Sequence, residues 1–266
     1  MLTGLSLPWS PSPAPASPAA SLRRPDSPPP GAASSTPSAS SRWIDACSKL
    51  DATNPLAVGI GTAALLGVGT RIWHRYGRRI RTVDDLTTAD YSPKTLRGTV
   101  TSVGDADGFR FFHRPLLRPW LTPPSNKTAL KGQTLSVRLA GVDAPEMAHF
   151  GKAAQPFSNE AFALLTRTIS GRRIKVEIFQ KDRYGRAVGM AYVRRFPSLR
   201  RKNVSELLLQ AGLATVYEQG GAVHAGRLDK MRELEATARA RRLGMWSQSA
   251  KDFESPADYK ARLRGE

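Results

Sequence analysis

The chain has 266 residues, which is enough for one or two domains, and a formal charge of +18 at neutral pH. One cysteine excludes an intramolecular disulfide, and four scattered histidines argue against a zinc enzyme. From Tyr91 onward, the chain contains 31 Lys and Arg residues but only 16 Asp and Glu residues. This excess predicts a polyanionic partner, either nucleic acid or an anionic membrane surface, with plain solubilising charge as the alternative.

The N-terminal segment 1–41 is predicted to be disordered. It holds 10 of the 20 prolines and 11 serines, with little apolar periodicity. Such a composition cannot bury enough surface to offset the entropy lost on ordering. Its two arginines and its single acidic residue, Asp26, are compatible with a mitochondrial presequence, although the prolines oppose the amphipathic helix of such a presequence.

Residues 55–73 are predicted to form a transmembrane helix. The stretch from Pro55 to Thr70 is uncharged, and with a snorkelling Arg71 the span reaches about 19 residues or roughly 28 Å. That length approaches the hydrocarbon thickness of a bilayer, and the arginines that follow would hold the C-terminal side in the cytosol or the matrix. A glycine-rich buried helix or loop is the alternative. Residues 74–90 are predicted to be a basic juxtamembrane linker.

The folded domain is predicted to cover residues 91–250, followed by a charged tail over 251–266. Alternating apolar residues predict strands, and apolar residues three and four apart predict helices. Short strands combined with helices favour the α+β class, as a small barrel with packed helices. The predicted strands cover residues 96–103, 109–113, 133–142, 173–179 and 187–194, and the predicted helices cover 158–169, 204–211 and 227–242.

Two predicted turns carry carboxylates that suit a hard cation. Asp105 and Asp107 flank Ala106 after the first strand, and Asp143 ends the third strand. If the turns meet, Asp107 and Asp143 offer oxygens to one ion, with the backbone carbonyl of Ala144 as a further ligand. Calcium prefers oxygen ligands and keeps waters, so it fits a site with few protein ligands. The alternative is that Asp107 belongs to a plain hairpin turn.

Two arginines and a glutamate complete a possible site. Arg138 lies on an otherwise apolar strand, and Arg186 follows Tyr184 at the start of a later strand. A guanidinium group fits phosphate oxygens in a bidentate manner and can stabilise charge that develops on phosphorus. Glu146 is placed to orient or deprotonate water. The alternatives are two surface arginines and a helix-start glutamate beside Pro145.

These motifs resemble those of the staphylococcal-nuclease-like endonucleases. The run 138–146 resembles the central motif of that family, 182–186 its second arginine motif, and 104–108 its metal-binding turn. Residues 211–214 and 243–246 are similar to the ends of its second and third helices. The resemblance covers about 150 residues, from Leu96 to Trp246, in family order. It implies a five-stranded OB-type β-barrel with three packed helices.

The resemblance also implies roles for individual residues. The implied catalytic residues are Arg138 and Arg186 at the scissile phosphate and Glu146 as the general base or water-orienting group. The implied Ca²⁺ ligands are Asp107, Asp143 and the carbonyl of Ala144. The implied substrate contacts are Tyr184 to a phosphate and Tyr217 on a base, although the register of Tyr217 is off by one.

This chain also departs from the family pattern. Gly108 and Ala144 stand where the family usually has a hydroxyl residue and a threonine, and the loop 114–132 is longer than in the secreted bacterial enzymes. A membrane span before such a domain, together with the run 142–151, resembles a fungal subgroup of membrane-anchored mitochondrial endonucleases.

The sequence therefore predicts a membrane-anchored, calcium-dependent endonuclease that hydrolyses phosphodiester bonds of DNA and/or RNA. One transmembrane helix would hold it as a single-pass protein in a lipid bilayer, in the mitochondrion, and no protein partner is predicted. One alternative is a catalytically weak nucleic-acid-binding module of the same fold tethered to a membrane, against which the joint presence of Arg138, Glu146 and Arg186 argues. Another is a membrane-bound scaffold whose basic domain binds anionic lipid or a protein.

Overall fold

The computed structural model describes residues 55–148, 151, 153–194 and 200–265. The segment 1–41, predicted to be disordered, lies outside the described residues, so that prediction stays open. The chain divides into two compact units, Met1–Ile60 and Gly61–Glu266, and the whole sheet belongs to the second.

The prediction of a transmembrane helix was wrong. A helix does form, α1 (Pro55–Ile72), and it continues into a π-helical turn. However, none of the helices in the described ranges has both the length and the apolar character that crossing a bilayer requires. The uncharged part, 55–70, measures about 24 Å at 1.5 Å per residue, short of a hydrocarbon core of about 30 Å. Four glycines further reduce its hydropathy. The mitochondrial location stays a prediction.

The described residues form eight strands, most of which close into a barrel. They are β1 (Thr95–Asp105), β2 (Gly108–His113), β3 (Leu135–Leu139), β4 (Val142–Asp143), β5 (Arg173–Lys181), β6 (Ala187–Arg194), β7 (Arg201–Asn203) and β8 (Thr215–Val216). The order β3-β2-β1-β5-β6 becomes a ring through a parallel pairing of β3 with β6. β7 extends the sheet beside β6, and β4 pairs with β8 as a separate ladder.

Four further helices follow in the second unit, so the prediction of three packed helices was wrong for the described part of the chain. They are α2 (Ser158–Ile169), α3 (Val204–Gln210), α4 (Leu228–Ala240) and α5 (Pro256–Gly265). α2 buries Ala161, Leu165 and Ile169, which lie one turn apart on one face. α5 lies in the segment that the sequence predicted to be a charged tail. The α+β class is as predicted.

The strand β3 shows how the core orients the site. Leu135, Val137 and Leu139 are at most 1% exposed and pack inside the barrel. Successive side chains of a strand point to opposite faces, so Ser136 and Arg138 turn outward and are only half-buried. The hydrophobic alternation of this strand therefore fixes the direction of the arginine that the sequence predicted to be catalytic.

A buried histidine links β2 to the chain that precedes the barrel. His113 is 5% exposed, and its Nδ1 accepts a hydrogen bond of 3.0 Å from the backbone N–H of Ile80. Burial, reinforced by the nearby Lys94 ammonium, lowers the pKa of His113 to about 4. The imidazole is therefore neutral in the folded protein at pH values where the unfolded chain is protonated.

We expect the protein to lose stability as the pH falls from about 6.5 to about 4. In this window the unfolded state binds the His113 proton and the folded state does not, so a lower pH favours unfolding, by up to about 3 kcal/mol. Urea denaturation in EDTA at pH 7 and pH 4.5 measures the effect. His113→Asn keeps an acceptor for Ile80 without titrating, so its pH dependence should be smaller. An identical pH dependence in both proteins would contradict this assignment.

Candidate active site

Backbone pairing brings the first carboxylate turn against β3. Gly108 at the start of β2 pairs with Arg138, and the N–H of Leu139 donates a 2.8 Å hydrogen bond to the carbonyl of Asp107. The hairpin turn after β1 is therefore held beside the outward face of β3. Asp107 is itself only 6% exposed, which is unusual for an aspartate in a plain hairpin turn.

Arg138 joins the two carboxylate turns. Its Nε lies 3.0 Å from Oδ2 of Asp107, and its Nη2 lies 2.9 Å from Oδ1 of Asp143. Burial disfavours the charge of Arg138, but the two aspartates outweigh it and raise the pKa of the guanidinium above its usual value. Because one planar group contacts both carboxylates, Asp107 and Asp143 lie close enough to share a single ion.

One carboxylate oxygen of Asp143 is left unsatisfied by the part of the chain that the structure describes. This side chain is almost fully buried, and burial raises the pKa of its carboxyl group. Its Oδ1 accepts two charged donors, whereas its Oδ2 has no hydrogen bond to any described residue. A buried polar atom without a partner costs about 1–3 kcal/mol, and more if it is charged. A cation bound to Oδ2 would remove this cost, so the residues fit a hard metal ion.

The protein supplies few of the ligands that such an ion needs. Within the described ranges, no group of three or more His, Cys, Asp or Glu side chains is arranged to hold a metal. The buried Ala144 follows Asp143 directly, so its carbonyl remains a possible further ligand, as the sequence predicted. Calcium and magnesium both tolerate sites completed by water and substrate oxygens.

The C-terminal helix adds a cation that the sequence analysis missed. Lys260 on α5 places its Nζ 2.6 Å from Oδ1 of Asp143 and 2.7 Å from Oε1 of Glu146. Glu146 is therefore joined to Asp143 through one shared ammonium group, and its role stays a prediction. In the sequence, Lys260 was one of several charges in a presumed solvent-exposed tail, so only its neighbours in the fold distinguish it.

A buried glutamine connects Glu146 to the segment that precedes α5. Gln155 is 3% exposed, and its Oε1 accepts a 3.2 Å hydrogen bond from the N–H of Glu146. Its backbone N–H donates to the carbonyl of Glu146 at 2.9 Å, and its Nε2 donates to the carbonyl of Glu254 at 2.8 Å. The amide thus holds the candidate catalytic loop and the C-terminal segment together.

A tight turn positions Arg186 beside Asp182 and Tyr184. The carboxylate of Asp182 accepts hydrogen bonds from the N–H groups of Tyr184 and Arg186, and from Nε of Arg186 at 2.8 Å. Gly185 within this turn has a φ of 75°, which favours glycine. Arg138 pairs with Val188 across β3 and β6, and Arg186 lies directly before β6, two residues ahead of Val188. The turn thus holds Arg186 against Asp182, with its Cζ 5.4 Å from the ring centroid of Tyr184.

The two predicted substrate tyrosines line one cleft. This cleft has a volume of about 460 Å³, and its walls include Arg138, Asp182, Tyr184 and Tyr217. The Cζ of Arg138 lies 5.4 Å from the ring centroid of Tyr217. Tyr184 is 67% exposed at the other wall. The cleft thus joins both tyrosines to Arg138 and its two aspartates, while the roles of all the predicted site residues stay predictions.

The site sets carboxylates against guanidinium groups at the mouth of a basic barrel, which is an arrangement suited to cleaving phosphodiesters. Comparison with known proteins agrees. A family model described as "Staphylococcal nuclease homologue" matches residues 136–248. A protein named "Probable endonuclease lcl3" from Sclerotinia sclerotiorum is 46% identical over 201 residues, covering 73% of this chain and 75% of that protein. "Probable endonuclease LCL3" from Pyricularia oryzae is 41% identical over 238 residues, covering 85% of this chain and 91% of that protein.

The chain therefore belongs to the staphylococcal nuclease family, and the resemblance predicted from the sequence is confirmed. It is a nuclease, a hydrolase that acts on the phosphodiester bonds of nucleic acids. The family is one of metal-dependent nucleases.

We expect Asp182→Ala to lower turnover by about tenfold to a hundredfold, because a misplaced Arg186 loses its alignment with the phosphate. Burial opposes the charge of Asp182, but hydrogen bonds from Arg186 keep the pKa of its carboxyl group below the usual value, so it is ionised at neutral pH. Steady-state cleavage measures turnover, and circular dichroism checks the fold. Asp182→Asn retains an acceptor and should recover part of the loss. Full activity of Asp182→Ala would show that the turn does not position Arg186.

Proposed function

We propose that this chain is a calcium-dependent endonuclease that cleaves DNA and RNA. The observation that carries the proposal is the bridging of Asp107 and Asp143 by Arg138, beside a buried carboxylate oxygen that no described residue partners. Both relatives described above are named as probable endonucleases, which supports cleavage within a strand. The oxygen-only character of the site supports calcium over softer metals.

The arginines would hold the scissile phosphate. Arg138 uses Nε and Nη2 for the aspartates, while its Nη1 has no hydrogen bond to a described residue and can donate to a phosphate oxygen. Arg186 would add a second guanidinium from the neighbouring strand. Together they would stabilise the charge that grows on the phosphoryl oxygens during attack. Calcium, when bound at the aspartates, would polarise a phosphate oxygen as a Lewis acid.

Glu146 would orient or deprotonate the attacking water. Its side chain is 30% exposed, so it borders both the carboxylate cluster and solvent. A carboxylate in that position can orient a water molecule or accept its proton. Tyr184 and Tyr217 on the walls of the cleft would contact the flanking phosphate and base.

We expect the full chain to nick a supercoiled plasmid in calcium but not in EGTA. A covalently closed circle has no ends, so nicking reports endonucleolytic cleavage. Glu146→Gln should reduce the rate by at least about a hundredfold, because it removes the base, while plasmid binding persists. Glu233→Gln, on the exposed side of α4, is the matched control.

Two results of this assay would contradict the proposal. Full activity of Glu146→Gln would remove the role given to that residue. Salt-sensitive binding without any cleavage would favour the alternative of a catalytically weak binding module.

We expect Lys260→Met to tighten calcium binding by about tenfold or more. The ammonium contacts Asp143 and Glu146, so a calcium ion must bind against a neighbouring unit charge, which costs about 1–4 kcal/mol. Isothermal titration calorimetry of the full chain measures the affinity. Lys230→Met, an exposed lysine that pairs with Glu206 on α3, removes the same charge elsewhere. Equal or weaker calcium binding by Lys260→Met than by the control would refute this competition.

A further inference from the structure

A second group of cations lies far from the active site along the barrel strands. We call it the distal groove; it has a volume of about 230 Å³. β1 carries Arg97 near its start and Asp105, beside the metal-site turn, at its end. They are eight positions apart along the strand, which corresponds to at most about 26 Å. The cationic residues that line the distal groove are Arg97, Arg114, Arg173, Lys175, Arg194 and Arg201.

Strand pairing places these cations on one outer surface. Arg97 of β1 pairs with Lys175 of β5, and Arg194 of β6 pairs with Arg201 of β7. Arg173 lies two residues before Lys175, so both point to the same face. Neighbouring strands are about 4.8 Å apart, so the charges form a two-dimensional array and not a single point.

The described part of the array contains no compensating acid. Among the described residues that line the distal groove none is acidic, and none of its cations forms an ion pair with a described carboxylate. Glu177, the nearest acid along β5, accepts a hydrogen bond of 2.8 Å from Ser92 and one of 3.3 Å from Tyr192. Burial and the charges of Arg201, Arg97 and Arg194 lower the pKa of Lys175, which reflects this repulsion.

Arg114 gives the strongest sign that an anion belongs in the groove. The residue is 7% exposed, and its Nε is buried without a hydrogen-bond partner among the described residues. Its Nη2 donates to the carbonyl of Pro119, which is a neutral acceptor. A buried charge without a counter-ion costs several kcal/mol, so an anionic ligand at this position would stabilise the protein.

We propose that the distal groove binds the sugar–phosphate backbone of a nucleic acid strand, at a distance from the phosphate that is cleaved. This inference rests on the proposed nuclease function. Guanidinium groups match phosphate oxygens, and several of them in rows suit a chain of phosphates better than one free ion. Trp120 follows the lining residue Pro119 and is 69% exposed, so it offers a surface on which a base can stack.

Binding by a full-length inactive protein tests the groove. In the Glu146→Gln background with calcium, fluorescence anisotropy compares a single strand of about 30 nucleotides with a trinucleotide, which is too short to reach both sites. The added substitutions are Arg194→Gln and Arg201→Gln, which are exposed and safer for folding than a change of the buried Arg114. The control pair is Arg167→Gln and Arg241→Gln, exposed arginines outside the groove.

We expect the groove pair to weaken binding of the long strand by about tenfold and that of the trinucleotide by much less. The slope of log affinity against log salt should become shallower by about 1.4, since each lost phosphate contact on a single strand contributes about 0.7. The control pair should leave both values within about twofold of the parent. Groove and control pairs that weaken the long strand equally would overturn the proposal.

Two further results distinguish the groove proposal from the nuclease proposal and from binding of anionic lipid. If the unsubstituted protein fails to nick plasmid but the groove pair still loses long-strand affinity, the nuclease proposal falls and the groove stands. Co-sedimentation with phosphatidylserine vesicles tests the other polyanion. Loss of vesicle binding in the groove pair, without any loss of strand binding, would overturn the proposal and assign the groove to lipid.

Discussion

The double ion pair of Arg138 holds the active site together. Asp107 comes from the turn after β1, and Asp143 comes from β4, beyond the end of β3. Neither carboxylate would stay buried alone, because an unpaired charge in the interior is strongly destabilising. The apolar alternation of β3 turns Arg138 outward, and the parallel β3–β6 pairing then brings the start of β6, which Arg186 directly precedes, alongside β3. The alternation of side chains along β3 thus determines both the packing of the core and the geometry of the active site.

The sequence predicted the parts of this site that local pattern controls. Alternation located β3, and the residue types around Asp107, Arg138 and Glu146 suggested their chemistry. The sequence analysis failed where contacts between distant segments determine which residues lie in the site. The place of Lys260 in the site is evident only from its contacts with Asp143 and Glu146, which lie more than a hundred residues earlier in the chain. The apolar stretch of α1 suggested a membrane span, but periodicity and composition alone do not separate a short glycine-rich helix from one that crosses a bilayer.

The net positive charge of the chain is distributed unequally over the barrel. The active site gathers acidic residues and balances them with Arg138 and Lys260, so it can accept both a cation and a phosphate. The distal groove gathers cations alone. A highly charged strand meets a favourable potential at the groove, while the acidic site limits how tightly product phosphates are retained. With the cationic groove separate from the acidic site, the protein could bind a long nucleic acid strand tightly and still release the product phosphate after cleavage.

The hydrogen bonds of Gln155 to Glu146 and Glu254 have a practical consequence for anyone who shortens or tags this protein. A recombinant version cut at residue 250, where the sequence alone would place the domain end, loses α5 together with the glutamine's acceptor and the lysine that neighbours the carboxylates. Changes to α5 would act on the site through Lys260, which contacts Asp143 and Glu146. Kinetic data from such shortened proteins would therefore describe a different catalyst from one that retains α5.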